Sequence, residues 1–469
     1  GYKEHTQYYP QPGWVEHDPM EIWGSILETI DSAAKEAGIQ VADLTCMGLD
    51  NQGETVMLWD RFTGVPVYNA IVWQDRRTAK MADEIAEQYG DMIREKTGLV
   101  VDAYFSATKI RWIMDHVDGV REKIENGHVI AGTLDTWMIW KLTHGHVHVT
   151  DYSTASRTML LNIHTGEWDD EILEALGIPK QILPEIHDSA EVYGTTDPLD
   201  FFGAKIPISG SVVDQQAALF GQACFKPGTV KTTYGTGCFM LMNTGDKPVY
   251  SENGLLTTVG WGLNGKKITF ALDGGIYISG AAVQWLRDKL HLIATAAETE
   301  ELAKSVPDTG GVYFVPAFAG LAAPHWDQYA RGTIVGITGG TTKEQLVRAT
   351  LESIAYQVKD NLDVMVKDSG IPIEVMRVDG GAAVNTFLMQ FQADILGIPV
   401  DVPVITETTA LGAAYLAACG IGEFHDLSEL EKNWKLYRRY EPHMEEDVRQ
   451  ELLRNWHKAV ERAKNWAES

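Results

Sequence analysis

Between residues 19 and 37 the apolar positions Ile22, Ile26, Leu27 and Ile30 recur at helical spacing, with Asp18-Pro19 as a start signal and Gly38 as a stop. The pattern then changes. LTCMGLD (44–50) and TVMLWD (55–60) are short apolar runs that predict strands, separated by the polar turn Asn51-Gln52-Gly53-Glu54. A third run, NAIVW (69–73), ends in Gln74-Asp75-Arg76-Arg77, and residues 78–96 return to a charged helical pattern. The same alternation continues along the chain. It predicts strands at 205–210, 229–235, 267–272, 311–318 and 375–380, and helices at 277–290, 343–368, 385–395 and 410–419. Short apolar strands alternating with amphipathic helices predict an α/β protein. A helix after Asp214 gives way to Lys226-Pro227-Gly228 and new strands, which places a domain boundary near 222–226 and two domains at 1–223 and 224–469. A chain of 469 residues is also too long for one compact core.

Composition narrows the class. Apolar residues make up 45% and charged residues 22%, the balance of an ordinary globular protein. The net charge of −26, from 65 acidic and 39 basic side chains, argues against a nucleic-acid partner. No run reaches the roughly 18–20 apolar residues that span a bilayer, and no signal segment opens the chain, so no membrane span and a cytoplasmic location are expected. Cys46, Cys224, Cys238 and Cys419 form no C-x-x-C pair, which argues against a zinc site and fits buried thiols in a reducing compartment.

Candidate chemistry sits at strand ends. Thr233-Tyr234-Gly235-Thr236-Gly237 follows a strand and reads either as a hairpin turn or as a phosphate-holding turn. Asp379-Gly380-Gly381-Ala382 also follows a strand and enters a helix near Asn385. It is either a tight connection or a nucleotide resting on a helix N-terminus. Neither is a P-loop, since no G-x-x-x-x-G-K-[ST] string occurs. Asp214, in GSVVDQQAALFG, ends a strand and starts a helix. It is either an N-cap or a general base that takes a proton from an attacking hydroxyl. Gln52, Glu54, Trp73, Gln74, Arg76 and Tyr104 are further strand-end polar and aromatic residues. Together they suit a small polyhydroxy molecule, which wants hydrogen-bond partners and an aromatic wall.

Several longer strings are specific: PGWVEHDPMEIW (12–23), YNAIVWQDRRTA (68–79), VTDYSTASRTML (149–160), DQQAALFGQ (214–222), TYGTGCFMLMNTG (233–245) and VDGGAAVNTFLMQFQADILG (378–397). From about residue 8 to about residue 440 the chain resembles the bacterial glycerol kinases of the FGGY carbohydrate kinase family. The resemblance implies two actin-like, ribonuclease H-like ATPase domains with a cleft between them. It implies ATP-dependent phosphorylation of glycerol, with ATP and Mg2+ as cofactors and a homodimer or homotetramer as assembly. It assigns Asp214 as catalytic base, in reach of Mg2+ through water. Gln52, Glu54, Trp73, Tyr104, Gln215 and Phe239 are assigned to the substrate. Gly235, Thr236, Gln284, Gly380, Gly381, Ala382 and Asn385 are assigned to the nucleotide.

Two departures stand out. Where the family reads N-Q-R-E-T, this chain reads Asn51-Gln52-Gly53-Glu54-Thr55, so a substrate-binding arginine is replaced by Gly53. The freed space and lost donor predict a looser grip on glycerol, or a different polyol or ketose. The family's opening D-x-G-T-T-S turn is also unmatched, and Gly1 falls about thirty residues into the family pattern. Either the full protein has residues before Gly1 that supply this turn, or the chain is truncated, and a catalytically inactive family member is then the competing expectation.

Overall fold

The computed structural model describes residues 1–467. The first long helix, α1 (Pro19–Ala37), is bounded by local signals: the Asp18 carboxylate accepts the Met20 N–H, and Gly38 closes the helix at φ +70°. The two strands flanking the Asn51–Glu54 turn do not pair with each other; they belong to different sheets. One is a four-stranded antiparallel sheet in the order β1 (Glu16–His17), β4 (Ala70–Ile71), β3 (Val56–Asp60), β5 (Val129–Thr133). The other has three strands, β6 (Gly194–Thr195), β7 (Pro207–Val213) and β2 (Met47–Asn51), with β7 and β2 parallel. Helices α2 (Ala79–Thr97) and α3 (Ser106–His116) bury apolar faces against β3 and β5, and α4 (Asp214–Gly221) leaves the end of β7.

The second half is one seven-stranded mixed sheet in the order β10 (Leu256–Leu263), β11 (Lys267–Ile276), β9 (Cys238–Gly245), β8 (Val230–Tyr234), β13 (Met376–Asp379), β14 (Val400–Pro403), β15 (Leu436–Tyr440). Within it β8 and β13 run parallel, Thr233 facing Asp379. The segment 311–318 forms only a three-residue strand, β12 (Tyr313–Val315), because Pro316 has no N–H to donate to a ladder. Helix α5 (Gly280–Asp288) follows β11, and the long α6 (Lys343–Ser369) lies across the sheet. Its start is a capping box in which Thr342 and Gln345 satisfy each other's backbone N–H. Helices α7 (Thr386–Leu396) and α9 (Glu446–Ala463) complete this core.

Helix α8 (Thr408–Gly420) belongs to the second half by sequence but packs on β2, β7 and α4 of the first. The approach is backbone to backbone. A Cβ on Gly412 would lie 1.9 Å from the Ala217 carbonyl oxygen, and one on Gly221 2.0 Å from that of Thr408. Only glycine permits that distance, so the two halves are joined over a seam where any larger side chain would force them apart.

Candidate active site

Four strand ends, from one parallel pair in each of two sheets, carry the candidate residues. β2 delivers Gln52–Glu54, β7 delivers Asp214, β8 delivers Gly235–Thr236, and β13 delivers Gly380–Gly381. Ligands bind at such ends because helix N-termini and loop amides converge there.

Asp214 is the first residue of α4, not its N-cap; Val213 takes that place. Among the described residues its carboxylate accepts only the N–H of Gln215, at 2.7 Å. Burial raises its pKa above the usual carboxylate range, opposed by that N–H and by the charges of Lys231 and Arg157. The Gln215 side-chain carbonyl accepts from the buried Lys231 ammonium, which also donates to Thr233 at 3.1 Å. Lys231 therefore holds Gln215 by its oxygen and leaves the amide donors for a ligand.

Glu54 is strained and buried. Its φ is +61°, a left-handed conformation that a non-glycine residue adopts only when its surroundings impose it. The surroundings are clear: its carbonyl accepts from Ser106 Oγ at 2.9 Å, and its carboxylate accepts Arg157 Nε–H at 2.6 Å. Burial pushes Glu54 up to about 7, with Arg157 pulling the other way and the charges of Asp214 and Asp273 adding to the rise. Gln52 does not face outward freely; it accepts from Thr55 Oγ1 at 2.8 Å and braces the same turn. Trp73 and Tyr104 meet edge to face with centroids 5.6 Å apart, a two-sided aromatic wall beside Glu54 and Arg157. The Tyr104 loop is tied down by buried Lys109, which donates to the carbonyls of Ala103, Tyr104 and Phe105. Phe239 lies on β9, opposite Gly275 of β11. A Cβ on Gly275 would touch the Phe239 ring at 3.5 Å, so the glycine leaves the ring its place.

Gly53 corrects the expectation of free space. A Cβ there would come within 2.6 Å of Val213 Cγ2 and 4.0 Å of Arg157 Cγ. The turn is packed closed, not opened, by the missing side chain.

On the other side of the cleft the chemistry is backbone. Every carbonyl of the Gly235-Thr236-Gly237 turn is engaged: Gly280 N–H donates to Gly235 O, Ser279 and Ala281 N–H to Thr236 O, and Gly235 N–H to Gly237 O. Oxygens that would repel phosphate are tied back, while the Thr236 hydroxyl stays exposed. Gly380 has φ +88°, and a Cβ there would lie 2.4 Å from the Tyr234 carbonyl oxygen, so the β8 and β13 turns touch through it. Gly381 is exposed, and a Cβ there would meet nothing within 4 Å. The helix N-terminus beyond differs from expectation. A 3-10 turn (Gly381–Val384) intervenes before α7. Asn385 caps α7 through Leu388 N–H, and Glu300 accepts the Thr386 N–H at 3.0 Å. An internal carboxylate thus occupies the end of α7, and the open surface for a ligand is Gly381–Ala382. Gln284 is exposed on α5, the helix whose first residues donate to the Gly235–Thr236 turn.

Arg157, Asp273, Lys231 and Lys109 were not singled out from the sequence. Arg157 does lie in the string VTDYSTASRTML, whose specificity was the available signal.

Family models match both halves. Residues 1–221 match the N-terminal domain, and residues 230–421 the C-terminal domain, of the FGGY family of carbohydrate kinases. The chain is 62% identical over 465 residues to Glycerol kinase 2 of Thermotoga maritima, covering 99% of this chain and 93% of that protein. It is 60% identical over 467 residues to the glycerol kinase of Caldanaerobacter subterraneus subsp. tengcongensis, covering 99% and 94%. Among solved structures, Plasmodium falciparum glycerol kinase with ADP superposes with a TM-score of 0.93 at 38% identity, covering 98% of this chain and 92% of that one. A strand-end cleft with a half-buried aspartate between side-chain and backbone walls, and an architecture shared with these relatives, have one meaning: the chain belongs to the FGGY family of carbohydrate kinases, with its two-domain, actin-like and ribonuclease H-like α/β fold.

Proposed function

We propose that the chain transfers the γ-phosphoryl group of ATP to a terminal hydroxyl of glycerol, giving sn-glycerol 3-phosphate and ADP. The observation that carries this reading is Asp214, placed at the start of α4 with one N–H partner, within the field of the Glu54–Arg157 pair and of Lys231. Its raised pKa suits a group that accepts the hydroxyl proton as oxygen attacks phosphorus and the bond to the β-phosphate oxygen breaks. Glu54 accepts and Gln215 donates hydrogen bonds to the polyol, while Trp73, Tyr104 and Phe239 cover its carbon face. Gly235, Thr236, Gly380, Gly381 and Ala382 hold the nucleotide, with Asn385 capping the helix behind them and Gln284 beside it, so residues 1–223 supply most of the substrate side, joined by Phe239, and the rest of 224–469 the nucleotide side.

Among the described residues no group of three or more His, Cys, Asp or Glu side chains forms a metal cage. Mg2+ is held mostly through substrate phosphates, water and one or two carboxylates, and Asp214 would be in reach of it through water. Held there, the ion would neutralise charge on the phosphoryl group. Among the described residues no helix is long and apolar enough to cross a membrane. A cytoplasmic location, where ATP is supplied, goes with this reading.

The test is ADP release by this chain with Mg-ATP, glycerol and a panel of other polyols and ketoses, beside Asp214→Asn. Glycerol turnover that vanishes in the variant is the expected result. Turnover only of another polyol, or none of any, overturns the assignment to glycerol.

A further inference from the structure

Arg157 follows the short helix Tyr152–Ala155 and is almost fully enclosed, its side chain 5% exposed between Glu54 and Asp273. Its Nε–H is engaged by Glu54 at 2.6 Å. Its Nη1 lies 3.1 Å from Asp273 Oδ2, yet has no hydrogen bond of acceptable alignment there or elsewhere among the described residues. Buried donors without acceptors are rare and costly, and a guanidinium carries five of them. The group also adjoins the aromatic and acidic residues of the candidate polyol site. The Tyr104 and Phe105 ring centroids stand 5.7 and 5.4 Å from its Cζ, and its charge is felt by Asp214. Its stem passes 4.0 Å from where a Cβ of residue 53 would begin.

Resting on the polyol kinase reading above, we infer that Arg157 donates from Nη to a hydroxyl oxygen of the bound polyol, serving as the cationic donor that residue 53, a glycine, does not provide. Glu54 and Asp273 hold the guanidinium plane on two sides. Glu54 then accepts from the same hydroxyl set that Arg157 donates to, so donor and acceptor arrive as one preassembled pair. A bare ion pair that only supports the Glu54 turn is the competing role.

The two roles separate when substrate hydroxyls are deleted together with the side chain. Arg157→Lys and wild type are compared on glycerol, 1,2-propanediol and 1,3-propanediol, with folding checked by thermal melts. On glycerol we expect kcat/KM to fall about 10–100-fold, through KM for the polyol and not for ATP. On at least one of the two deoxy analogues the penalty falls to about threefold or less, because the lost contact has no hydroxyl to lose. Equal penalties on all three substrates overturn the inference. If Arg157→Lys fails to fold, Asp273→Asn loosens the same guanidinium and is held to the same hydroxyl dependence. Calorimetric titration with glycerol keeps the two readings apart. Arg157-dependent binding without turnover sinks the kinase reading alone, turnover with hydroxyl-independent penalties sinks this inference alone, and no glycerol binding sinks both.

Discussion

Glu54 follows β2 and Gly381 follows β13, strands of two different sheets, and the two turns are built from opposite materials. Around Glu54 the working groups are side chains, the charged Arg157, Asp273 and Asp214 and the neutral Gln215, Trp73 and Tyr104. Around Gly381 they are backbone, with carbonyls tied back, glycines at the contact points and the turn open to solvent. A small neutral polyol offers only hydroxyls, so directional donors and acceptors must be bought with buried side chains whose charges balance. A triphosphate brings its own charge and is held by amides that need no side chain.

The largest way to break that contrast is to remove the group at its centre. Asp214→Asn should lower kcat about a thousandfold while leaving KM for ATP nearly unchanged, measured by coupled ADP release. If kcat survives, the base lies elsewhere. Next come the paired glycines. Gly380→Ala should cost about 2–3 kcal/mol by chemical denaturation, since its Cβ would overlap Tyr234 at positive φ. Gly381→Ala should stay within about 0.5 kcal/mol of wild type yet raise KM for ATP. Equal stability losses would mean that neither turn is reserved for the nucleotide.

Gly53 gives a smaller effect on the polyol side. Gly53→Ala and Gly53→Arg should each destabilise by about 1–3 kcal/mol, as Val213 is displaced, without lowering KM for glycerol. An arginine that improved KM would show that Val213 yields and that position 53 is a true subsite. The mildest test is pH. Glu54 is raised to about 7 against an ordinary value of 4.5, so it takes up a proton as pH falls through 7 and then accepts hydroxyls poorly. The polyol kcat/KM should fall on that limb while KM for ATP stays flat, and Glu54→Gln should remove the limb. Arg157, Asp214 and Asp273 face this carboxyl and set its position. A limb that persists in Glu54→Gln belongs to Asp214, whose carboxyl is also raised by burial.

Local signals carried far in this chain. The predicted helix at 19–37 coincides with α1, and that at 343–368 differs from α6 by one residue, because caps and periodicity lie within a few residues of each helix. Asp214 and the Gly235 and Gly380 turns were legible for the same reason, each being a strand end followed by a turn or helix. Strand lengths were less so. The strand expected at 267–272 runs on to Ile276, because pairing with β9 and β10 extends it, and pairing partners are not written locally.

What the sequence by itself determined is the α/β alternation, the bounds of the well-capped helices and the identity of the strand-end residues, all properties of short windows. What only the tertiary structure decided is which of those residues meet. Arg157 and Glu54 are 103 positions apart, and nothing near either one announces the other. The closed space at Gly53 is set by Val213, on a strand that reaches it only through the parallel pairing of β2 with β7. Periodicity and capping act over one or two turns of chain, whereas burial, charge balance and close contact depend on atoms brought together by folding.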